Sequence, residues 1–302
     1  MSDHTGRPRQ HVDAPVLAAV DGSAVGYHAA AWAATEAAMH GRRLHLVTSA
    51  AIVAGPEPTP IITDDAVSWL HRDGERILVE ARRIARLAAP AQTPKITTEV
   101  TGEPIIEYLI ERSRHALVLA VGSRGLGAIR RGLLGSVASA VIRHAHCPVT
   151  IVHTMSATDP VTAAQPVLVG VDGTDNSVAA LEIAFEEASR RKVGVVALHA
   201  WSDISAKLHF TIEGWVQVRD SEDAVLAENL AGYAERYPDV EVRRALVYHS
   251  PVRSLLDEAD NAQLLVVGSH GRGGFSGMLL GSTSAAVAQT APCPVMIVRT
   301  AK

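Results

Sequence analysis

Leu117-Val-Leu-Ala-Val-Gly122-Ser-Arg-Gly125, nine further residues, then Gly135-Ser136: this stretch decides the fold. It runs an apolar, β-branched strand straight into a glycine-rich loop and then into a serine-led helix. The spacing returns 146 residues later as Gly268-Ser-His-Gly271, nine residues, Gly281-Ser282. A glycine turn that feeds a helix start presents backbone amides to phosphate, so the chain reads first as a tandem nucleotide-binding protein.

The repeat extends outward from the loops. Cys147-Pro148-Val149 answers Cys293-Pro294-Val295 in the same register, and Val16 to Ser23 answers Val167 to Thr174 at an offset of 151. The 302 residues therefore divide into two units of roughly 150, each long enough for its own core. The expected boundaries are a polar tail over 1–14, a first domain over 15–153, a linker over 154–165 and a second domain over 166–302.

Composition narrows the function. The chain is 47% hydrophobic and 20% charged, with a net charge of −4, which leaves no basic surface for nucleic acid. The tail Met1 to Ala14 has no apolar run, and stretches such as Ala116 to Val121 are too short to cross a bilayer, so a cytoplasmic protein is expected. Two cysteines, each before a proline, fit a reducing compartment.

Short β-branched runs alternate with longer amphipathic segments, the pattern of an α/β fold with a parallel sheet covered on both faces. In the first copy the strands fall at about Val16–Val20, Leu44–Ser49, Ile96–Val100, Leu117–Val121 and Val149–Val152. A helix is predicted from Ala24 to His40, capped by Ser23 and closed by Gly41. The Pro-rich Gly55 to Pro60 precedes a long helix ending near Ala89, matched in the second copy by Thr211 to about Tyr237. A third helix follows Pro104 or Pro251, and the glycine loop follows the fourth strand.

Glycine at the carboxyl end of a parallel strand lets the backbone approach a ligand, which suits Gly122, Gly125, Gly268 and Gly271. Gly135-Ser136 and Gly281-Ser282 then open helices, so unpaired amides, the helix dipole and a hydroxyl converge on one anion site in each copy. Asp21 and Asp172 end the first strand of each copy, placed either to meet a ribose or a phosphate-bound metal, or only to close an Asx-turn. Among cationic loop residues, Arg124 and His270 stand between motif glycines and are stronger phosphate candidates than Arg130, Arg131 or Arg272.

Other chemistries fall away. His144, His146 and Cys147 resemble metal ligands, but the second copy has Thr290, Pro292 and Cys293 there. No GxxxxGK[ST] occurs, and Gly125-Leu-Gly127-Ala-Ile-Arg130 fails as GxGxxG at its third glycine and follows the wrong strand. There is no GxSxG elbow and no HExxH helix.

The doubled GxxGx9G[ST] after the fourth strand resembles the universal stress protein family, in its ATP-binding branch, over about Val16–Val152 and Val167–Arg299. The resemblance implies two doubly wound, Rossmann-like domains, each with a five-stranded parallel sheet of order 3-2-1-4-5 and helices on both faces. It implies ATP at the carboxyl edge, up to two per chain with Mg, and dimer-like pairing through the last strands, which a tandem chain could make internally. Carried onto this sequence, it puts Asp21 and Asp172 beside the nucleotide, the backbone of Ser49 and Ala200 at the adenine, and Val121 and Val267 flanking the base. Gly122 to Gly125 and Gly268 to Gly271 would wrap the ribose and phosphates, with Gly135, Ser136, Gly281 and Ser282 on the triphosphate. Ser284 adds a hydroxyl near the phosphates where the first copy has Ala138. After the third strand, Gly102-Glu-Pro104 keeps a family glycine that His249-Ser-Pro251 lacks.

The function expected is a nucleotide-dependent regulator in stress response, acting on an unidentified protein partner or on its own assembly. A slow ATPase or self-phosphorylating protein using the same pockets is the alternative, although the loops supply no evident base or acceptor. A third possibility is a structural dimer with vestigial pockets.

Overall fold

The computed structural model describes residues 13–52, 63–125, 133–153, 160–201, 212–272 and 279–299. The N-terminal tail to residue 12, Gly55–Pro60, Arg130, Arg131, residues 154–159 of the expected linker and Thr211 lie outside the described residues. The chain divides between Val152 and His153 into two compact units.

Unit 1 runs β1 (Val16–Ala19), α1 (Ala24–Met39), β2 (Leu44–Ser49), α2 (Asp64–Ala88), β3 (Ile96–Thr101), α3 (Ile105–Arg112), a 3-10 turn (Ser113–His115), β4 (Val118–Gly122), α4 (Ser136–His144) and β5 (Val149–Val152). Its strands lie in the order β3-β2-β1-β4-β5, all parallel, with Val16 opposite both Leu44 and Val118. The central strands are buried almost continuously, as helices on both faces require, whereas β3 at the edge is half-buried and carries Thr97, Thr98 and Glu99. Alanines make up most of the buried face of α1, and their small side chains let the helix lie close on the sheet. Gly41 follows the helix in the left-handed region, with φ +60.

Unit 2 contains α5 (Pro160–Ala163), β6 (Val167–Gly170), α6 (Asp175–Arg191), β7 (Val195–Ala200), α7 (Ile212–Leu230), α8 (Tyr233–Arg236), β8 (Val242–Val247), α9 (Pro251–Ala259), β9 (Leu264–Gly268), α10 (Ser282–Thr290) and β10 (Val295–Val298). The strand order is β8-β7-β6-β9-β10, again parallel, so the α/β expectation of order 3-2-1-4-5 holds in each half. Lys192 takes the place of Gly41 after α6 and adopts φ +56, a left-handed cap on a residue with a side chain.

Two details differ from the sequence reading. The single helix expected over Thr211 to Tyr237 breaks at Gly232, which turns to φ +81. The break lets Tyr233 stack on the buried Phe185 of α6 at 4.5 Å between ring centroids, with Tyr237 at 5.7 Å. The stretch expected as a linker contains one helical turn, α5.

Candidate functional site

Strand order reverses beside β1, between its neighbours β2 and β4, and such a switch point opens a crevice at the carboxyl ends of the strands. In unit 1 the crevice is a cleft of ≈ 910 Å³. Its walls include Asp21, Thr48, Ser49, Asp73, Ile77, Val121, Gly122, Arg124, Gly125, Gly135, Ser136 and Ala138, so eight site candidates of the first copy share one space.

Asp21 closes a tight turn at the end of β1. Its Oδ1 accepts from the backbone N–H of Ser23 at 3.0 Å and from the Ser23 hydroxyl at 2.6 Å, while Gly22 adopts φ +83. Ser23 Oγ also accepts from Gly26 N–H at 3.1 Å and so caps α1. Asp172 repeats the turn, accepting from Thr174 N–H at 3.0 Å and from Thr174 Oγ1 at 2.7 Å, with Gly173 at φ +77. Both aspartates thus form Asx-turns at the crevice edge.

The motif glycines divide into two kinds. A Cβ on Gly122 would lie 3.0 Å from the carbonyl carbon of Val25, and one on Gly268 would lie 2.9 Å from Asn176 O, so these glycines admit the start of α1 and α6 against the sheet. A Cβ on Gly125 would collide with Asp21 Oδ2, and one on Gly271 would come within 2.5 Å of Asp172 Oδ2. Gly135 differs. Its φ of −62 suits any residue, and an added Cβ would meet nothing nearer than Arg124 Cα at 3.5 Å. Gly281 likewise has φ −70, with its nearest neighbours at 3.4 Å. The protein's own packing does not require glycine at these two positions.

The unpaired amides at the helix start begin at Ser136, since the Gly135 amide is already bonded. Gly135 N–H donates to Ser123 O at 2.8 Å and Gly281 N–H to Ser269 O at 2.7 Å, because the loop closes back on itself there. The first intrahelical bonds are Ser139 N–H to Gly135 O and Ala285 N–H to Gly281 O, both 2.9 Å. Neither helix has a side-chain cap. The amides of Ser136, Val137 and Ala138 therefore have no partner among the described residues, and all three residues line the cleft. Ser282 holds the same place on α10. Ser284 differs from the expectation: its hydroxyl donates to Gly268 O at 2.6 Å, so its hydrogen ties α10 to β9.

Ser49 Oγ donates to Glu103 O at 2.7 Å and accepts from Ala51 N–H at 3.0 Å, which fixes the end of β2; Ala200 ends β7 opposite Val247. Val121 and Val267 are buried near the ends of β4 and β9. Arg124 lines the cleft of unit 1. His270 Nδ1 pairs with Ser269 Oγ at 3.0 Å.

Unit 2 holds a polar chain at its crevice that the sequence reading missed. Arg272 donates its backbone N–H to Asp172 Oδ2 at 3.1 Å, its Nε to Asp172 O, and its Nη1 to Glu222 Oε2 at 3.3 Å. The same Glu222 oxygen lies 2.6 Å from Nε2 of His199, whose Nδ1 donates to Val171 O at 2.7 Å. With Nδ1 donating, one proton must lie between Nε2 and the carboxylate. Burial pushes the Glu222 carboxyl up, but the His199 hydrogen bond and the nearby Arg272 charge outweigh it and hold the carboxyl below its ordinary value. Arg272, ranked below His270 from sequence, is the loop cation that engages the crevice edge. The available signal was His199, a lone polar ring near the end of an otherwise apolar strand.

The fold and the duplicated loop define a tandem, doubly wound α/β protein with a cleft at the carboxyl edge of the first sheet and the same loop arrangement at the second. By fold, the chain is similar to a universal stress protein from Archaeoglobus fulgidus, with a TM-score of 0.65 at 21% identity over 94% of this chain and 98% of that one. By sequence, it is 41% identical over 288 residues to a universal stress protein of Mycobacterium bovis, covering 94% of this chain and 96% of the relative. It is also 38% identical over 285 residues to one of Mycobacterium tuberculosis, with 94% and 96% covered. The pattern of the universal stress protein family matches residues 14–153 and again 164–299. The chain belongs to the universal stress protein family and carries two of its domains in tandem.

Proposed function

We propose that this chain is an ATP-binding universal stress protein that works as a cytoplasmic, nucleotide-dependent regulator. The observation that carries this reading is the cleft of ≈ 910 Å³ in unit 1, into which the start of α4 brings three unpartnered amide residues, Ser136 to Ala138. The volume suits a nucleotide, and the helix start suits its phosphates. Gly135 supports it further, because the space a Cβ would fill there is left open without any need of the fold. The doubled loop motif, which resembles that of the family's ATP-binding branch, favours ATP over other anions.

When bound, the nucleotide supplies the state that a partner reads, with Mg carried on its phosphates. Arg124 offers charge at the loop, Val121 an apolar contact for the base, and Asp21 a carboxylate at the edge of β1. A ligand shifts the equilibrium between two protein states only by its difference in affinity for them, so regulation requires a partner, or self-association through the last strands, that discriminates loaded from empty protein. Among the described residues no helix is long and apolar enough to cross a membrane.

Thermal unfolding with Mg·ATP tests the reading. At about 100 times Kd, ATP is expected to stabilise the protein by roughly 2.7 kcal/mol, seen as a higher Tm. Absence of any shift with ATP, AMP and cyclic AMP alike would overturn it.

A further inference from the structure

The two crevices differ at matching positions. Thr48 and His199 are each the fifth residue of the second strand in their unit. A Cβ on Gly22 would touch Ile77 at 3.2 Å, and a Cβ on Gly173 would touch Val225 at 3.1 Å, which aligns α2 with α7. Three residues before these partners stand Gly74 in unit 1 and Glu222 in unit 2. At the place where unit 1 has glycine and threonine, unit 2 therefore has the His199–Glu222 pair.

Arg272 completes the difference. In unit 1 the turn at Asp21 packs beside Ile77 of α2, and Asp21, Asp73 and Ile77 all line the cleft. In unit 2 the guanidinium of Arg272 lies over the corresponding seam, bonding to Asp172 of the turn and to Glu222 of α7, and its Nη2 lies 3.3 Å from where a Gly173 Cβ would stand. His199 is 1% exposed and Glu222 21%, so the bridge rests on a half-buried carboxylate backed by a buried ring, while Arg272 itself is 48% exposed. The first copy has Leu126 at the position matching Arg272, a residue that cannot make the bridge.

We infer that Glu222 autoinhibits the second site by holding Arg272 at the crevice edge, in competition with the phosphates of an incoming nucleotide. This rests on the nucleotide-binding reading above and adds an inequality between the two sites. Both a phosphate and Glu222 can pair with the guanidinium fork, and Glu222 is already in place. The second site then binds more weakly than the first, and releasing Arg272 from Glu222 strengthens it.

The test is calorimetric titration of the full chain with Mg·ATP. The unmodified chain is expected to show two classes of site at least tenfold apart in Kd. Ser136→Glu, which puts a carboxylate on the anion position of the first site, should leave only the weak class. In that background Glu222→Ala should tighten the weak class about tenfold. Adding Arg272→Leu should reduce the effect of Glu222→Ala to less than threefold, because the carboxylate acts through the arginine. Glu222→Gln keeps a partner for His199 while removing the charge, and it should move affinity in the same direction if the alanine variant does not fold. Two equal sites in the unmodified chain, an unchanged weak class in both Glu222 variants, or an undiminished effect beside Arg272→Leu would each overturn the inference. No binding at either site would instead overturn the nucleotide reading, so the two failures are distinguishable.

Discussion

Gly271 lies against Asp172 so closely that a Cβ on the glycine would fall 2.5 Å from the carboxylate Oδ2, and Gly125 stands in the same relation to Asp21. Each pair links the end of the first strand to the loop after the fourth. Gly125→Ala and Gly271→Ala should each displace the carboxylate from its turn and cost roughly 1–3 kcal/mol in stability, measured by urea unfolding. A change below about 0.5 kcal/mol would show that the turn yields freely.

Gly135→Ala tests the opposite kind of glycine. The added methyl fits without a clash, so stability should fall by less than about 1 kcal/mol, the cost of losing a favourable cap residue. Mg·ATP affinity at the first site should nevertheless drop at least tenfold by titration. Unchanged affinity would return Gly135 to a purely structural role.

Ser23 and Thr174 occupy matching turns but carry different loads. Ser23 Oγ both donates to Asp21 and caps α1, whereas Thr174 Oγ1 donates to Asp172 and gives α6 no side-chain cap. Ser23→Ala is expected to cost about 1 kcal/mol in cap energy beyond the loss of the aspartate bond. Thr174→Ala lacks that cap component. Denaturant unfolding that ranks the two in reverse order would contradict this.

Burial pushes the thiols of Cys147 and Cys293 up to about 12, which keeps both protonated and unreactive at neutral pH. Labelling by a thiol-specific disulfide reagent should follow the unfolding curve in denaturant, as read by mass spectrometry. Fast labelling of the native protein at either position would rule out this picture.

Glu222 sets an acid limit. Its folded carboxyl lies below the ordinary value of 4.5, so its contribution is present above that pH and is lost as pH falls through the lowered value. The Tm of the unmodified chain should exceed that of Glu222→Gln at neutral pH, and the gap should close as pH falls through the lowered value of the Glu222 carboxyl. A gap that widens with acid would reverse the assigned sign.

Much of this fold was legible because its signals are local. The apolar runs at Val16, Leu44 and Leu117, the capping Ser23 and the doubled glycine spacing each act within a few residues, and the elements follow them. The break at Gly232 was less visible because its cause is distant: Tyr233 and Tyr237 leave the line of α7 to pack on Phe185. In the candidate site, the sequence brought Asp21, Arg124, Gly125 and Ser136 to one cleft, but it could not show that the Gly135 amide turns back to Ser123. The His199–Glu222–Arg272 chain joins residues 23 and 50 positions apart, through a strand, a helix and a loop. No periodicity connects them.

Gly74 brings α2 so near the sheet that a Cβ would fall 2.9 Å from Val100 Cγ1, while α7 bears a carboxylate at the matching turn. The halves are consequently not interchangeable modules. A chain assembled from two first halves would carry two open clefts with no brake, and one assembled from two second halves would carry the brake twice. Divergence at three matching positions, Gly74 against Glu222, Thr48 against His199 and Leu126 against Arg272, is enough to give a duplicated protein two thresholds of response instead of one.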